Sequence, residues 1–191
     1  MHEQSRRLIG SWFHKAIQNQ DAPPEDSFEP FIYAWFAFNG WAACATNEDS
    51  DSKYMQKLIS DRSLLSQFSE IVDNDSEFRT LAHDFAAYWP IFTVKFLRGM
   101  SIDLRDAGNR ADVVDHFLSH GATKFEPQCW QRHRDQGEPC PCDWPHTISA
   151  IYRVRCNLFH GEKAASSPID QNIVCAAFRV LAGFIQKADL L

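Results

Sequence analysis

The segment between Phe31 and Ala45 constrains the fold more than any other part of the chain. It follows Pro30, a residue suited to the first turn of a helix, and it is apolar on most sides at helical spacing. One face carries Phe31, Trp35, Phe38 and Ala42. Because a helix without a continuous polar face belongs inside a protein, the segment predicts a central, buried helix. We interpret Asn39 within it as a core amide whose hydrogen bonds are satisfied.

Helical periodicity recurs along the rest of the chain, and strand signals are sparse. The pattern predicts a first helix ending before Pro23, one or two helices within 54–71, a helix over 76–97 bent or broken at Pro90, and a short helix over 113–118. With 191 residues, 45% of them hydrophobic, the chain can bury one sizeable core. We expect an all-α helical bundle that forms a single domain over residues 1–191.

Residues 121–146 form the least regular stretch of the sequence. Prolines and glycines interrupt it at Gly121, Pro127, Gly137, Pro139, Pro141 and Pro145. Both residue types break helices, so we predict a long irregular insertion loop before the last two helices. Loops of this length often carry function.

The last two helices have clear end signals. Thr147 can cap a helix from Ile148 to about His160, and Gly161 is suited to end it. The run Ser167-Pro168-Ile169-Asp170 offers a capping residue, a proline at the first helical position and a carboxylate at the third. The helix that it starts has a core stripe of Ile173, Ala177, Val180, Leu181 and Phe184. We expect the two helices to form an antiparallel hairpin.

Charge and hydropathy narrow the classes of function. No apolar run approaches the roughly 20 residues of a membrane span, and the polar N-terminus lacks the apolar core of a signal peptide. We therefore expect a soluble, cytoplasmic protein with no membrane partner. The formal net charge of −6 argues against non-specific nucleic-acid binding by the whole surface. Residues 151–191 hold five basic and three acidic side chains, so this segment is locally basic.

Six cysteines raise the questions of disulfides and metal binding. Without a secretion signal, free thiols are the better interpretation. Cys129, His133, Cys140 and Cys142 cluster in the predicted loop and offer four zinc ligands. Their spacing, C-x3-H-x6-C-x-C, fits no common zinc module, and one residue between Cys140 and Cys142 is tight for a single ion. We interpret the segment as a metal-free loop and expect no cofactor.

Arg155, Asn157 and His160 are the candidate functional residues. At about 100° per residue, Arg155 lies in the middle of an apolar stripe, whereas Arg153, Asn157 and His160 share the opposite, polar face. An arginine on an apolar face must meet a buried carboxylate, face a partner chain or line a pocket for an anion. We favour the pocket over a structural ion pair because of the polar residues that follow Arg155.

These side chains can carry out acid–base chemistry on a phosphate. Histidine takes or gives a proton near neutral pH, and the arginine fork binds phosphate oxygens. Metal-independent RNA cleavage needs these two parts, since a base must activate the ribose 2′-hydroxyl and a cation must stabilise charge on phosphorus oxygens.

The string from Val154 to Gly161, followed by Glu162 and Lys163, resembles the arginine–histidine signature of the HEPN superfamily. The fuller form resembles the bacterial Apea-like branch, as does the aromatic segment Phe31–Asn39. The resemblance implies a helical bundle that dimerises, with two motifs meeting in a shared cleft. It also implies a metal-independent endoribonuclease that leaves 2′,3′-cyclic phosphate ends, found in toxin–antitoxin or phage-defence systems. The implied partners are an RNA substrate, a second copy of the chain and an antitoxin protein.

By this resemblance Arg155 and His160 are the catalytic pair, with Asn157 as a polar helper and with Arg153 and Lys163 as substrate-binding residues. Arg153 also satisfies the motif, so the choice of arginine stays open. Many members have asparagine directly after the arginine, where this chain has Cys156. On an ideal helix Arg155 and His160 point about 140° apart, which a dimer cleft or an unwound last turn would reconcile.

Two other functions compete with the ribonuclease. One is a non-catalytic HEPN module that binds RNA, a nucleotide or a protein partner. The other is a structural helical domain in which Arg155 is salt-bridged.

Overall fold

The computed structural model describes residues 2–97, 109–160 and 167–191. The described residues form α1 (Glu3–Ile17), α2 (Phe28–Thr46), α3 (Asp51–Ile59), α4 (Arg62–Asn74), α5 (Ser76–Ala86), β1 (Ile91–Phe92), α6 (Arg110–Ser119), β2 (Phe125–Glu126), α7 (Trp130–Asp135), α8 (Trp144–Phe159) and α9 (Pro168–Lys187). The strands pair antiparallel, with Ile91 opposite Glu126 and Phe92 opposite Phe125. The prediction of an all-α bundle is confirmed.

Helix α2 lies at the centre of the bundle, as its composition predicted. It packs against α1, α3 and α9, and the stripe of Phe31, Trp35, Phe38 and Ala42 is buried. Gly40 lets α1 approach closely, since a Cβ there would lie 2.9 Å from the side chain of Ile9. One side of α2 reaches the surface, where Phe36 and Cys44 are exposed.

Helix α9 is the second core helix. Ser167 caps it, because its hydroxyl accepts a hydrogen bond from the Asp170 N–H at 3.3 Å, which confirms the predicted start. The predicted stripe from Ile173 to Phe184 is buried. By length and composition α9 could cross a membrane, but 61% of its most apolar stretch is buried inside the bundle, as in a core helix.

Helix α8 begins earlier than the sequence predicted. Asp143, rather than Thr147, is the capping residue, and its carboxylate accepts a hydrogen bond from the His146 N–H at 3.1 Å. Thr147 is buried one turn inside the helix. The indole of Trp144 donates a hydrogen bond of 2.7 Å to the carbonyl of Leu58 and so fixes the start of α8 against the end of α3. The predicted stop at Gly161 lies outside the described residues.

The structure differs from the predictions in the segments around residues 86–97 and 121–146, and the predicted helix over 76–97 is wrong beyond residue 86. Helix α5 ends at Ala86, before Pro90, and β1 follows. The predicted insertion loop includes β2, α7 and the first turn of α8, joined by irregular segments. A two-residue strand is too short to show a period of two, so the sequence carried no signal for it. Around this hairpin lies a second, smaller apolar cluster of Phe92, Leu97, Val113, Val114, Phe117, Ala122 and Phe125.

Candidate functional site

Arg155 is held by an acidic partner and by aromatic rings. Its Nη2 lies 2.7 Å from Oδ2 of Asp51, the first residue of α3. The guanidinium carbon lies 4.7 Å from the ring centre of Phe159, 5.6 Å from that of Trp35 and 5.9 Å from that of Tyr152. The sequence had left three roles open for Arg155, and the structure shows the carboxylate partner. The ion pair is half-buried, because the two side chains are 20% and 34% exposed.

The surroundings of this ion pair are polar, and Nε of Arg155 is buried with no hydrogen-bond partner in the described part of the chain. Tyr54 donates a hydrogen bond to the side-chain oxygen of Asn39, which agrees with the interpretation of Asn39 as a bonded amide. Burial raises the pKa of Tyr54, and the charge of Asp51 adds to the effect. Burial also raises the pKa of Tyr152 to about 12. Both phenols therefore stay protonated at neutral pH and serve as fixed hydrogen-bond groups beside Arg155.

Asn157 is buried, so the prediction that it shares an exposed polar face with Arg153 and His160 is wrong. Its side chain is 1% exposed. Its amide donates a hydrogen bond of 2.8 Å to the carbonyl of Phe92, and its oxygen accepts one of 3.4 Å from the N–H of Val94. These partners lie in and after β1, which packs on this side of α8. Asn157 therefore fastens the hairpin to the helix, and its amide is not available to a substrate.

Arg153 and Arg155 serve different sides of α8. Burial raises the pKa of Glu126 in β2, and the charge of nearby Arg153 partly offsets that effect. Arg153 thus faces β2, whereas Arg155 faces α3. The structure does not bring Arg153, Arg155 and Asn157 into one cluster. His160 is exposed directly after α8, and Lys163 lies outside the described residues.

Exposed aromatic side chains surround the end of α8. Phe159 is 43% exposed and Phe36 is 37% exposed, with ring centres 6.1 Å apart. Phe36 contacts Trp12 edge-on at 5.3 Å, and Trp12 stacks on Tyr33 at 5.6 Å. We call Trp12, Tyr33, Phe36 and Phe159 the aromatic surface. Its Phe159 ring covers Arg155 on one side, and His160 is the next residue along the chain.

The cysteine-rich segment forms a cluster that differs from the one predicted. Sγ of Cys129 lies 3.0 Å from Nε2 of His146 and 3.9 Å from Sγ of Cys140, and these three atoms lie within 4.8 Å of one another. His133 lies elsewhere, with its Nδ1 3.8 Å from a carboxylate oxygen of Glu138. Cys142 is outside this group of three.

Burial changes the acidity of the Cys140 and Cys142 thiols. Burial raises the pKa of the Cys140 thiol to about 12, and the neighbouring Cys129 adds to the effect. Burial also raises the pKa of the Cys142 thiol to about 11. The sequence did not point to His146, because the pattern C-x3-H-x6-C-x-C ends at Cys142. Nor did it point to Asp51, which lies far from Arg155 in sequence and carries no local signal.

Two candidate sites therefore lie on the chain, one beside each end of α8. The first is Arg155 with Asp51, the aromatic surface and His160, and the second is the thiol–imidazole cluster. No protein-family model matches the chain, and no curated protein or solved structure shows significant similarity to it.

Proposed function

We propose that this chain is a metal-independent endoribonuclease of the HEPN type that acts as a homodimer. The observation that carries the proposal is that a fixed guanidinium, an exposed imidazole and the aromatic surface all lie near the end of α8. Arg155 contacts Phe159, and His160 is the next residue along the chain. These groups supply a cation for phosphate, a proton carrier and an apolar face for a second copy of the chain.

In this mechanism His160 accepts the proton of the ribose 2′-hydroxyl. The 2′-oxygen attacks phosphorus and forms a bond to it, and the bond to the 5′-oxygen of the next nucleotide breaks. An acid then donates a proton to that leaving oxygen, which yields a 2′,3′-cyclic phosphate and a 5′-hydroxyl. Arg155 stabilises the charge that develops on the non-bridging oxygens.

A second copy of the chain supplies the geometry that one helix lacks. Arg155 and His160 leave an ideal helix about 140° apart, so one chain does not aim both at the same phosphate. A dimer that buries the aromatic surface brings the end of α8 from each copy into one cleft. An exposed apolar patch of this kind is typical of an interaction site. We propose that the ribonuclease acts as a toxin or a phage-defence effector, with an antitoxin protein as a further partner.

Asp51 is the main competitor for an RNA phosphate at Arg155. The carboxylate of Asp51 already accepts a hydrogen bond from Nη2 of the guanidinium. A phosphate must therefore bind the other guanidinium nitrogens or displace Asp51. The ion pair also orients the guanidinium, so the guanidinium loses less conformational entropy when it binds a phosphate.

A non-catalytic module is the second candidate, and one observation favours it. The guanidinium of Arg155 is already paired, and the amide of Asn157 is fully used by β1. In that case the aromatic surface binds RNA or a protein, and no cleavage follows.

Cleavage of labelled RNA by the untagged full-length chain separates the two candidates. We expect His160→Ala to lower the rate at least 100-fold, since general acid–base catalysis contributes about 10²–10⁴-fold. His120→Ala is the matched control, because His120 is also an exposed histidine that directly follows a helix. Products should carry 2′,3′-cyclic phosphate ends, with EDTA present or absent.

Three results would contradict the ribonuclease. They are full activity in His160→Ala, equal loss in His120→Ala, and loss of activity in EDTA while circular dichroism shows an intact fold. Binding of RNA without any cleavage by the wild type would favour the non-catalytic module.

A further inference from the structure

The cluster beside α7 has the ligand set of a metal site. We propose that Cys129, Cys140 and His146 bind one Zn²⁺ ion. This inference goes beyond the proposed function and does not depend on it. It replaces the sequence-based interpretation of a metal-free loop, because that interpretation considered His133 and did not include His146.

The distances within the cluster suit zinc. Tetrahedral zinc holds thiolate sulfur at about 2.3 Å and imidazole nitrogen at about 2.0–2.1 Å, so two sulfurs lie about 3.8 Å apart and a sulfur and a nitrogen about 3.5 Å apart. The two sulfurs of Cys129 and Cys140 are 3.9 Å apart, which already matches. The 3.0 Å between Cys129 and His146 must lengthen by about 0.5 Å, which a side-chain rotation provides.

The second nitrogen of His146 is already occupied as in a metal-bound histidine. Nδ1 contacts the carboxylate of Asp143, which can only accept a hydrogen bond, so Nδ1 carries the proton. In the neutral ring, the lone pair is then on Nε2, the atom that faces Cys129. Carboxylate–histidine–metal arrangements of this kind fix the ring and raise its basicity. Asp143 also caps α8, so its position is fixed by the fold.

Each ligand is held by a different part of the chain. Cys129 directly precedes α7, Cys140 lies in the irregular segment after it, and His146 lies in the first turn of α8. A metal ion here would join α7 and the segment after it to the start of α8. On binding, the two thiols lose their protons, and the ion neutralises the thiolates that result.

The donor set selects the metal and leaves one position open. Thiolate and imidazole favour Zn²⁺, whereas Mg²⁺ and Ca²⁺ require oxygen ligands. A fourth protein ligand must lie as close to the other three as they lie to one another, and Cys142 is outside that group. Among the residues that the structure describes, the geometry therefore points to three protein ligands, with a water molecule in the fourth position.

Native mass spectrometry of the untagged full-length chain, purified with added zinc, tests the site. We expect one zinc per chain in the wild type and in Cys44→Ser, the control at an exposed thiol on α2. Cys140→Ser and His146→Ala should lose it, and Cys142→Ser should keep it. The wild type with Co²⁺ should show a thiolate-to-cobalt charge-transfer absorption, which gives a readout that does not depend on the folding of any variant.

Several outcomes would overturn the proposal. They are a wild type without stoichiometric zinc, a cobalt complex without the thiolate band, and zinc retained by folded His146→Ala. Loss of zinc in folded Cys142→Ser would overturn the three-ligand version. A metal-free wild type 2 Da lighter than the reduced chain, with Cys140→Ser at its full reduced mass, would indicate a disulfide at Cys140 and would also overturn the proposal.

Discussion

Arg155 owes its position to two kinds of contact of different strength. Water screens a half-buried ion pair less than a surface pair, which contributes about 0–1 kcal/mol, but the half-buried charges also lose more hydration. The rings of Phe159, Trp35 and Tyr152 add cation–π attraction of about 0.5–2 kcal/mol. Together these contacts hold the guanidinium in one orientation. A guanidinium fixed in this way can stabilise charge on a phosphate without first reorienting. The same fixed orientation equally suits a structural ion pair.

Asn157 provides a prediction at the scale of one residue. We expect Asn157→Ala to lower the free energy of unfolding by about 2–3 kcal/mol, because a buried carbonyl and a buried N–H of the β1 segment lose their partner. Urea unfolding followed by circular dichroism measures the change. His160→Ala is the control, since His160 is exposed and should change stability by less than about 0.5 kcal/mol.

The same variant distinguishes a structural role from a catalytic one. RNA cleavage per folded molecule of Asn157→Ala should stay near the wild-type rate at low temperature. Unchanged stability together with a large loss of activity would contradict the structural role and restore Asn157 to the catalytic machinery.

At the scale of elements, Asp75 links two helices. Its carboxylate caps α5 by accepting a hydrogen bond of 2.8 Å from the N–H of Phe78, and it also pairs with Lys187 at the end of α9. The hydrogen bond from Lys187 lowers the pKa of Asp75, and the bond from Phe78 adds to the effect. The folded state therefore favours the ionised carboxylate. One side chain thus stabilises both the start of α5 and its contact with α9.

This linkage predicts how stability depends on pH. Because the pKa is lower in the folded state, the contribution of Asp75 is complete above its ordinary pKa of about 4 and is lost as pH falls through the lower, folded value. We expect the melting temperature of the wild type to fall more steeply below about pH 4 than that of Asp75→Asn, which keeps the cap but not the charge. Melting curves at several acidic pH values measure this. Parallel curves for the two proteins would show that the ion pair contributes nothing.

The helix ends show why some elements could be predicted and others could not. The start of α9 is set by four adjacent residues, so local sequence was sufficient. The start of α8 was predicted at Thr147 and is wrong by four residues. Asp143 caps the helix, and Pro145 lies in the first turn, where proline is tolerated. The hairpin of β1 and β2 depends on contacts between distant segments, which no local pattern records.

The same distinction applies to the candidate sites. The position of Arg155 on an apolar stripe predicted that it needs a partner, but Asp51 joins it only through the packing of α3 on α8. Cys129 and Cys140 were visible as a pair of thiols, whereas His146 joined them because the helix starts earlier than predicted. The burial of Asn157 followed from the hairpin and could not be seen on a helical projection of α8 alone.

At the scale of the whole molecule, α8 separates the two candidate sites. It is 16 residues long, so it spans about 24 Å at 1.5 Å per residue. His146 lies in its first turn and His160 directly follows its end. Removal of zinc should therefore affect the stability of the insertion without touching the chemistry proposed at Arg155. This is why the EDTA experiment needs a simultaneous measurement of the fold.

The proposed homodimer depends on the aromatic surface. If the aromatic surface is the dimer contact, a charge placed in it should produce monomers, because burying an unpaired carboxylate in an apolar interface is costly. We expect wild-type protein to have twice the chain mass by light scattering, and Phe36→Glu to have the mass of one chain and no ribonuclease activity. Because Phe36 is 37% exposed, the melting temperature should change little.

Leu65→Glu is the matched control, since Leu65 is 42% exposed on α4, outside the aromatic surface. It should remain dimeric and active. A dimeric Phe36→Glu would exclude the aromatic surface as the contact. A wild type that stays monomeric at all concentrations would remove the shared cleft, and with it the means of bringing Arg155 and His160 to one phosphate.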